Sequence, residues 1–160
     1  MQTKHIQFTL HIAVNAQDLP DLEKGLVLAA KTALSNAYAP YSKFKVAAAI
    51  LLANGKIVTG TNQENASYPV GLCAEGTALS VASSVYPGIA PVKIAVTAIT
   101  EKHPIEKPIA PCGICRQKLL EYEQRFNQDI EIIMAGETGE VHIVKSVKDL
   151  LPLYFSAAVL

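Results

Sequence analysis

Two short motifs, Cys73-Ala74-Glu75 and Pro111-Cys112-Gly113-Ile114-Cys115, use every cysteine of this 160-residue chain. They are far apart in sequence, so any fold in which they act together must bring two separate segments to one point. Three thiolates, each about 2.3 Å from a tetrahedral Zn²⁺, leave a fourth position for water, the layout of a catalytic rather than a structural zinc. Glu75 is not needed as a ligand. It lies two residues from the first thiolate, where a carboxylate can move protons to and from that water. Cys112-Gly113-Ile114-Cys115 at a helix start also fits a thiol–disulfide oxidoreductase. That reading leaves Cys73 and Glu75 without a role.

The remaining composition narrows the class. The chain has 14 basic and 14 acidic residues, without a cationic block, which argues against nucleic acid or an anionic membrane surface as partner. Met1 to Ala16 alternates apolar and polar residues and lacks the continuous apolar core of a signal peptide. The longest apolar run, Val46 to Ala53, is too short to span a bilayer. An odd cysteine count spaced as ligands suits a reducing cytoplasm. Counting glycine in place of tyrosine, apolar residues make up about 52% of the chain, slightly high for a soluble domain, which fits a chain that also buries surface against copies of itself.

Along the chain, Phe8, Leu10, Ile12 and Val14 alternate with polar residues and predict a half-buried strand. His5 and His11 on that strand read as solvated or hydrogen-bonded histidines. Asp18 and Pro20 open a helix that carries Leu22, Leu26, Ala29, Ala30, Ala33 and Leu34 inward and ends near Asn36. Lys45 to Leu52 and Lys56 to Thr61 form a hairpin about Asn54-Gly55. A loop, 62–71, leads into a helix from about Cys73 to Val85, with Ala78, Leu79, Val81, Ala82 and Val85 inward. Val92 to Thr100 is a strand and 101–110 a surface loop. The Pro111 helix runs to about Phe126, followed by strands at 130–135 and 141–145 and a short helix at 147–150. The alternation predicts an α/β three-layer sandwich with a mixed five-stranded sheet. The expected division is an N-terminal extension strand, 1–17, and a single domain, 18–160. Cys73 and Glu75 lie roughly 200° apart on a regular helix. They share a site only if Cys73 sits at the helix mouth.

With these motifs in place the chain resembles the short, homotetrameric, three-cysteine cytidine deaminases, whose C-x-E and P-C-x-x-C pattern belongs to the zinc-dependent deaminases generally. The likeness extends to Tyr38-Ala39-Pro40-Tyr41-Ser42-Lys43-Phe44-Lys45-Val46 and to Gly60-Thr61-Asn62-Gln63-Glu64-Asn65-Ala66-Ser67-Tyr68-Pro69. It continues in Pro111 to Gln117 and in Leu151-Pro152 with Phe155. The resemblance implies a cytidine deaminase-like fold, Zn²⁺ held by Cys73, Cys112 and Cys115, and Glu75 as proton shuttle. It further implies that Asn62 and Glu64 hold the ribose, that Phe44 packs near the nucleoside, and that the Ala74 amide meets the pyrimidine carbonyl. Phe155 would reach the active site of a neighbouring subunit in a homotetramer. Taken alone, Asn62 and Glu64 read equally as turn residues, and Phe44 and Phe155 as core aromatics.

These implications add up to a cytoplasmic enzyme of pyrimidine salvage that converts cytidine and deoxycytidine to uridine and deoxyuridine with release of ammonia. Two alternatives stay open: deamination of a cytosine-containing antibiotic nucleoside, and a zinc-stabilised protein with weak or lost catalysis. The second arises at position 76, where the family pattern C-A-E-R has arginine and this chain has Gly76. Arg116 or the two helix ends are the expected sources of compensating positive charge.

Overall fold

The computed structural model describes residues 1–156; the last four positions of the expected 18–160 unit lie outside the described residues. Nine main elements follow in order: β1 (His11–Ala13), α1 (Asp21–Ala33), β2 (Phe44–Leu52), β3 (Ile57–Thr61), α2 (Ala74–Val85), β4 (Pro91–Thr100), α3 (Gly113–Phe126), β5 (Glu131–Ala135) and β6 (Val141–Val144). The strands form one six-stranded sheet in the order β1-β6-β5-β4-β2-β3. Only β4 and β5 pair in parallel; every other neighbour is antiparallel.

Strand periodicity divides the core into two layers. In β2, Ala48, Ile50 and Leu52 face one side, with Ile94 and Val96 of β4 and Ile132 and Met134 of β5. Ala49 and Leu51 face the other, with Ala95, Ile133 and Ala135. α2 and α3 cover the first side through Ala78, Leu79, Leu119 and Leu120. α1 covers the second through Leu26, Val27 and Ala30. A sheet apolar on both faces has to be sandwiched between helices, and the expected three layers are present. The expected five strands are joined by β1 as a sixth, edge strand.

This topology positions the two cysteine motifs. β3 and β4 flank β2, each antiparallel to it, and so run in the same direction. α2 follows β3, α3 follows β4, and both lie on one face. Their N-termini therefore emerge together at the carboxyl ends of parallel strands, where open α/β sheets place ligands.

The buried Glu123 of α3 fastens the far end. Its Oε1 accepts the amides of Ile130 and Val147 and its Oε2 the Ser146 hydroxyl. That ties the exit of α3 to β5 and to the short helical turn Val147–Leu150.

Several expectations are revised. β1 is only three residues long, and Phe8, Leu10, Ile12 and Val14 are exposed rather than half-buried. No layer of the described chain covers that edge. In α1 the Pro20 backbone occupies the N-cap position in place of Asp18, and Leu22 faces solvent while Val27 is buried. In α2, Ala78, Leu79 and Ala82 are buried as expected, but Val81 and Val85 are exposed and Ala74 joins the small-residue contact stripe in their place. The 101–110 loop is not wholly superficial: Ile105 is buried, and its carbonyl accepts the amides of Glu137 and Thr138.

Candidate active site

Cys73 and Cys112 occupy equivalent positions. Each is the N-cap of its helix with extended backbone, φ −77° and ψ 151° for Cys73 and φ −68° and ψ 169° for Cys112. Cys73 thus lies at the helix mouth rather than inside the helix, which meets the geometric condition for Cys73 and Glu75 to share a site. Cys115 lies in the first turn of α3 and is buried. The three Sγ atoms are within 4.8 Å of one another.

Tetrahedral Zn–S bonds of about 2.3 Å require sulfurs about 3.8 Å apart, so the set can close on such an ion with small side-chain rotations. The donors are soft and sit at two helix N-termini, whose dipoles favour thiolates. Without a cation to offset them, two of the sulfurs, those of Cys73 and Cys115, resist ionisation. Burial, then the Glu75 carboxylate and the neighbouring cysteines, push the Cys115 thiol far above its ordinary range. Burial is also the leading cause that raises Cys73. Three crowded thiols, two of them raised by burial, are a site adapted to a bound cation.

Beside the sulfurs lies a cavity of about 490 Å³ lined by Phe44, Val46, Asn62, Cys73, Ala74, Glu75, Val96, Ile109, Ala110 and Cys112. Its walls are mostly apolar, and Asn62, Glu75 and the thiols of Cys73 and Cys112 are its polar side chains. Glu75, only 5% exposed, lines the cavity without a hydrogen-bonding partner among the described residues. Ala74 opens α2, so its amide is one of the helix's free N-terminal donors.

Asn62 is pinned to β2: its Oδ1 accepts the Val46 amide at 2.8 Å and its Nδ2 donates to the Phe44 carbonyl at 2.9 Å. One N–H and one lone pair remain for a ligand.

Two expected residues stand outside this cavity. Glu64 lines an adjoining depression of about 380 Å³ with Tyr41, Ser42, Asn65, Tyr68 and Gly71. The adjacent Ser42 side chain, with the Tyr41 and Ser42 amides donating to Oε2, holds its carboxyl below the usual range. Lys43, in the left-handed region at φ 58°, makes the turn that presents those amides. Phe155 is exposed, tethered through its carbonyl to Gln117 Nε2 at 2.9 Å.

The first 20 residues aside, the sequence up to the end of α3 matches a family model. The model describes the cytidine and deoxycytidylate deaminase zinc-binding region and covers residues 21–127. The chain belongs to the cytidine and deoxycytidylate deaminase family. It is 39% identical over 132 residues to a cytidine deaminase of Halalkalibacterium halodurans, spanning 82% of this chain and 92% of that protein. It is likewise 39% identical over 137 residues to one of Sporosarcina psychrophila, spanning 85% and 92%. Among solved structures, cytidine deaminase from Burkholderia pseudomallei superimposes with a TM-score of 0.71 at 43% identity, over 82% of this chain and 97% of that one. The Mycobacterium tuberculosis enzyme does so with a TM-score of 0.65 at 31% identity, over 86% and 98%.

Against that family background, position 76 has a partner that reading the sequence missed. Arg116 spends its guanidinium on backbone carbonyls, Nε to Pro111 and Nη1 to Leu150, both at 2.7 Å. Lys118 is the cation at Gly76. Its Nζ donates to the Gly76 carbonyl at 3.1 Å and to Ser80 Oγ at 3.2 Å. The signal was present: Gly76 is three residues past Cys73, Lys118 is three past Cys115, and two helices meeting at their cysteines face each other one turn further on.

Proposed function

We propose that this chain is a zinc-dependent cytidine deaminase that hydrolyses cytidine and deoxycytidine to uridine and deoxyuridine, with Cys73, Cys112 and Cys115 as the metal ligands and Glu75 as the proton shuttle. The observation that carries the reading is the convergence of three thiols and one carboxylate without a partner among the described residues at a mostly apolar cavity sized for a nucleoside. Bound by the thiolates, zinc supplies the Lewis acidity that makes water a nucleophile at neutral pH.

The chain's own groups do the rest. The Ala74 amide holds the pyrimidine carbonyl, and Phe44 and Val96 pack against the ring. Glu75 accepts a proton from the attacking water and delivers it to N3. As the C4–N bond breaks, the second water proton passes through the same carboxylate to the amine, which leaves as ammonia, and C4 retains the oxygen. One carboxylate serves both transfers because it is recharged between them. Asn62 and Glu64 bind the sugar, the first with its remaining donor and acceptor, the second with the Oε1 that its loop amides do not use. A carboxylate held ionised beside the sugar favours a nucleoside over a nucleotide.

The finer reading follows from the same picture. Phe155 and the rim residues Tyr68 and Leu72 are exposed next to the site, which fits a homotetramer whose sites are completed by neighbouring subunits. Residues 18–160 act as the catalytic unit and 1–17 as an extension. No helix among the described residues is long and apolar enough to cross a membrane, and three unpaired thiols suit the reducing cytoplasm and a role in pyrimidine salvage.

The test is ammonia release from cytidine, cytosine and cytidine monophosphate, with zinc measured on the same sample. Cytidine should be preferred over either by more than tenfold in kcat/KM, about 1.4 kcal/mol, with one zinc per chain. Equal turnover of nucleoside and monophosphate would remove the assigned role of Glu64. No turnover at full zinc loading would remove the enzyme reading.

A further inference from the structure

We infer that Lys118 is a positioning residue for the metal centre, its ammonium held between α2 and α3 so that its charge strengthens the hold of the cysteine set on a divalent metal. The inference rests on the metal reading of that set. Three thiolates on a divalent cation leave one uncompensated negative charge in a half-buried groove. Gly76 and Lys118 each lie one helical turn beyond a cysteine, Cys73 and Cys115 respectively, on the faces where the two helices meet.

A small residue at 76 is what leaves room for the lysine. A Cβ there would meet Lys118 Nζ at 3.4 Å and its Cδ at 3.8 Å, ordinary contact distances, and a side chain much longer than alanine would compete for the lysine's place. The ammonium is then fixed by two acceptors of α2, the Gly76 carbonyl and the Ser80 hydroxyl.

A neutral donor would brace the helices equally well, and the charge itself runs against local electrostatics. Both helices present their positive ends here, where a cation is disfavoured and an anion favoured. The ammonium is bound by the first and second turns of α2 and comes from the second turn of α3, towards the ends where a cation is the less favoured, and the thiolate set supplies the opposing charge. Arg116, adjacent to Cys115, is committed to the Pro111 and Leu150 carbonyls.

Zinc affinity, measured on the full chain by competition with a chromophoric chelator at low and high salt, tests this. Lys118→Gln keeps a donor for the Gly76 carbonyl but removes the charge. It should bind zinc about tenfold more weakly, the scale of lost outer-shell support, and the gap should narrow as salt screens the wild-type charge. Lys118→Arg should stay near wild type, and Lys118→Met should match the glutamine variant. Wild-type affinity in both neutral variants would reduce Lys118 to a brace and overturn the inference, as would a gap indifferent to salt. Failure of the wild type itself to take up one zinc per chain would instead overturn the metal reading on which the inference stands.

Discussion

Glu75 is buried, borders an apolar cavity and receives no hydrogen bond from the described residues around it. A carboxylate whose oxygens open onto a cavity with no partner from the described chain keeps its full hydrogen-bonding capacity for a ligand there. Its isostere Gln fills the same volume, cannot take a proton and touches none of the three sulfurs' bonding capacity. Glu75→Gln should therefore lower kcat by at least about a hundredfold, the lower end of general acid–base contributions, with zinc content and thermal midpoint unchanged. Near-normal turnover in a zinc-replete variant would show that another group moves the proton. This residue was legible in the sequence because its distance from Cys73 is chemically meaningful. Lys118 becomes legible only when the two cysteine motifs are set side by side, because its significance depends on a contact between helices that no spacing along one helix encodes. Asn62 lies between the two cases. Its type and loop pointed to ligand binding, yet half of its hydrogen-bonding capacity is spent on pinning the loop to β2.

At the scale of elements, the site depends on how closely α2 lies on β3. A Cβ at Gly60 would stand 2.3 Å from the Ala78 amide nitrogen and 2.6 Å from the Ala74 carbonyl. The glycine is required by close backbone approach rather than by its dihedral angles. Gly60→Ala must push the first turns of α2 away, and Cys73, Ala74 and Glu75 move with them. We expect a loss of about 1–3 kcal/mol in urea unfolding, accompanied by weaker zinc binding. Gly25→Ala is the matched control. It is an exposed position inside α1 with nothing within 4 Å of the added carbon, and it should gain about 0.5–1 kcal/mol. If Gly60→Ala kept both stability and zinc affinity, α2 would not be the element that locates Cys73. Element type and order were readable from periodicity and turn chemistry, as β2 and β3 about Asn54-Gly55 illustrate. The inward face of α2 was readable in part, in Ala78, Leu79 and Ala82. A hydrophobicity rule favours Val81 and Val85, whereas the tight β3 contact selects the small side chains of Ala74 and Ala78.

For the molecule as a whole, the layers are joined at the edge opposite the cysteines by a chain of charges. Lys93 of β4 bridges Glu23 of α1 at 2.7 Å and Glu131 of β5 at 2.6 Å, and Glu131 also pairs with Lys145 just beyond β6. One helix and three strands are therefore linked through two partly buried groups. Burial opposes ionisation of Glu131, but Lys145 and Lys93 outweigh it and hold the carboxyl below its usual range. Burial likewise opposes the charge on Lys93, and Glu131 and Glu23 outweigh it and hold the amine above its usual range. A carboxyl depressed on folding contributes stability that is complete above the unfolded glutamate value of about 4.3 and is lost as pH falls through the lower folded value. A raised lysine contributes fully below about 10.4 and loses its share only as pH rises through the higher folded value. Glu131→Gln should then unfold more easily than wild type by a margin that is flat across neutral pH and closes on the acid side. A protonated glutamic acid and a glutamine make nearly the same contacts, so the two proteins converge where the carboxyl is neutral. Added salt should narrow the neutral-pH margin only in part, because Lys145 is exposed while Lys93 is not. Unfolding midpoints in urea from acid to neutral pH measure both effects. A margin that persisted at low pH would mean that Glu131 acts through packing, and that the layers are held at this edge by apolar contact rather than by charge.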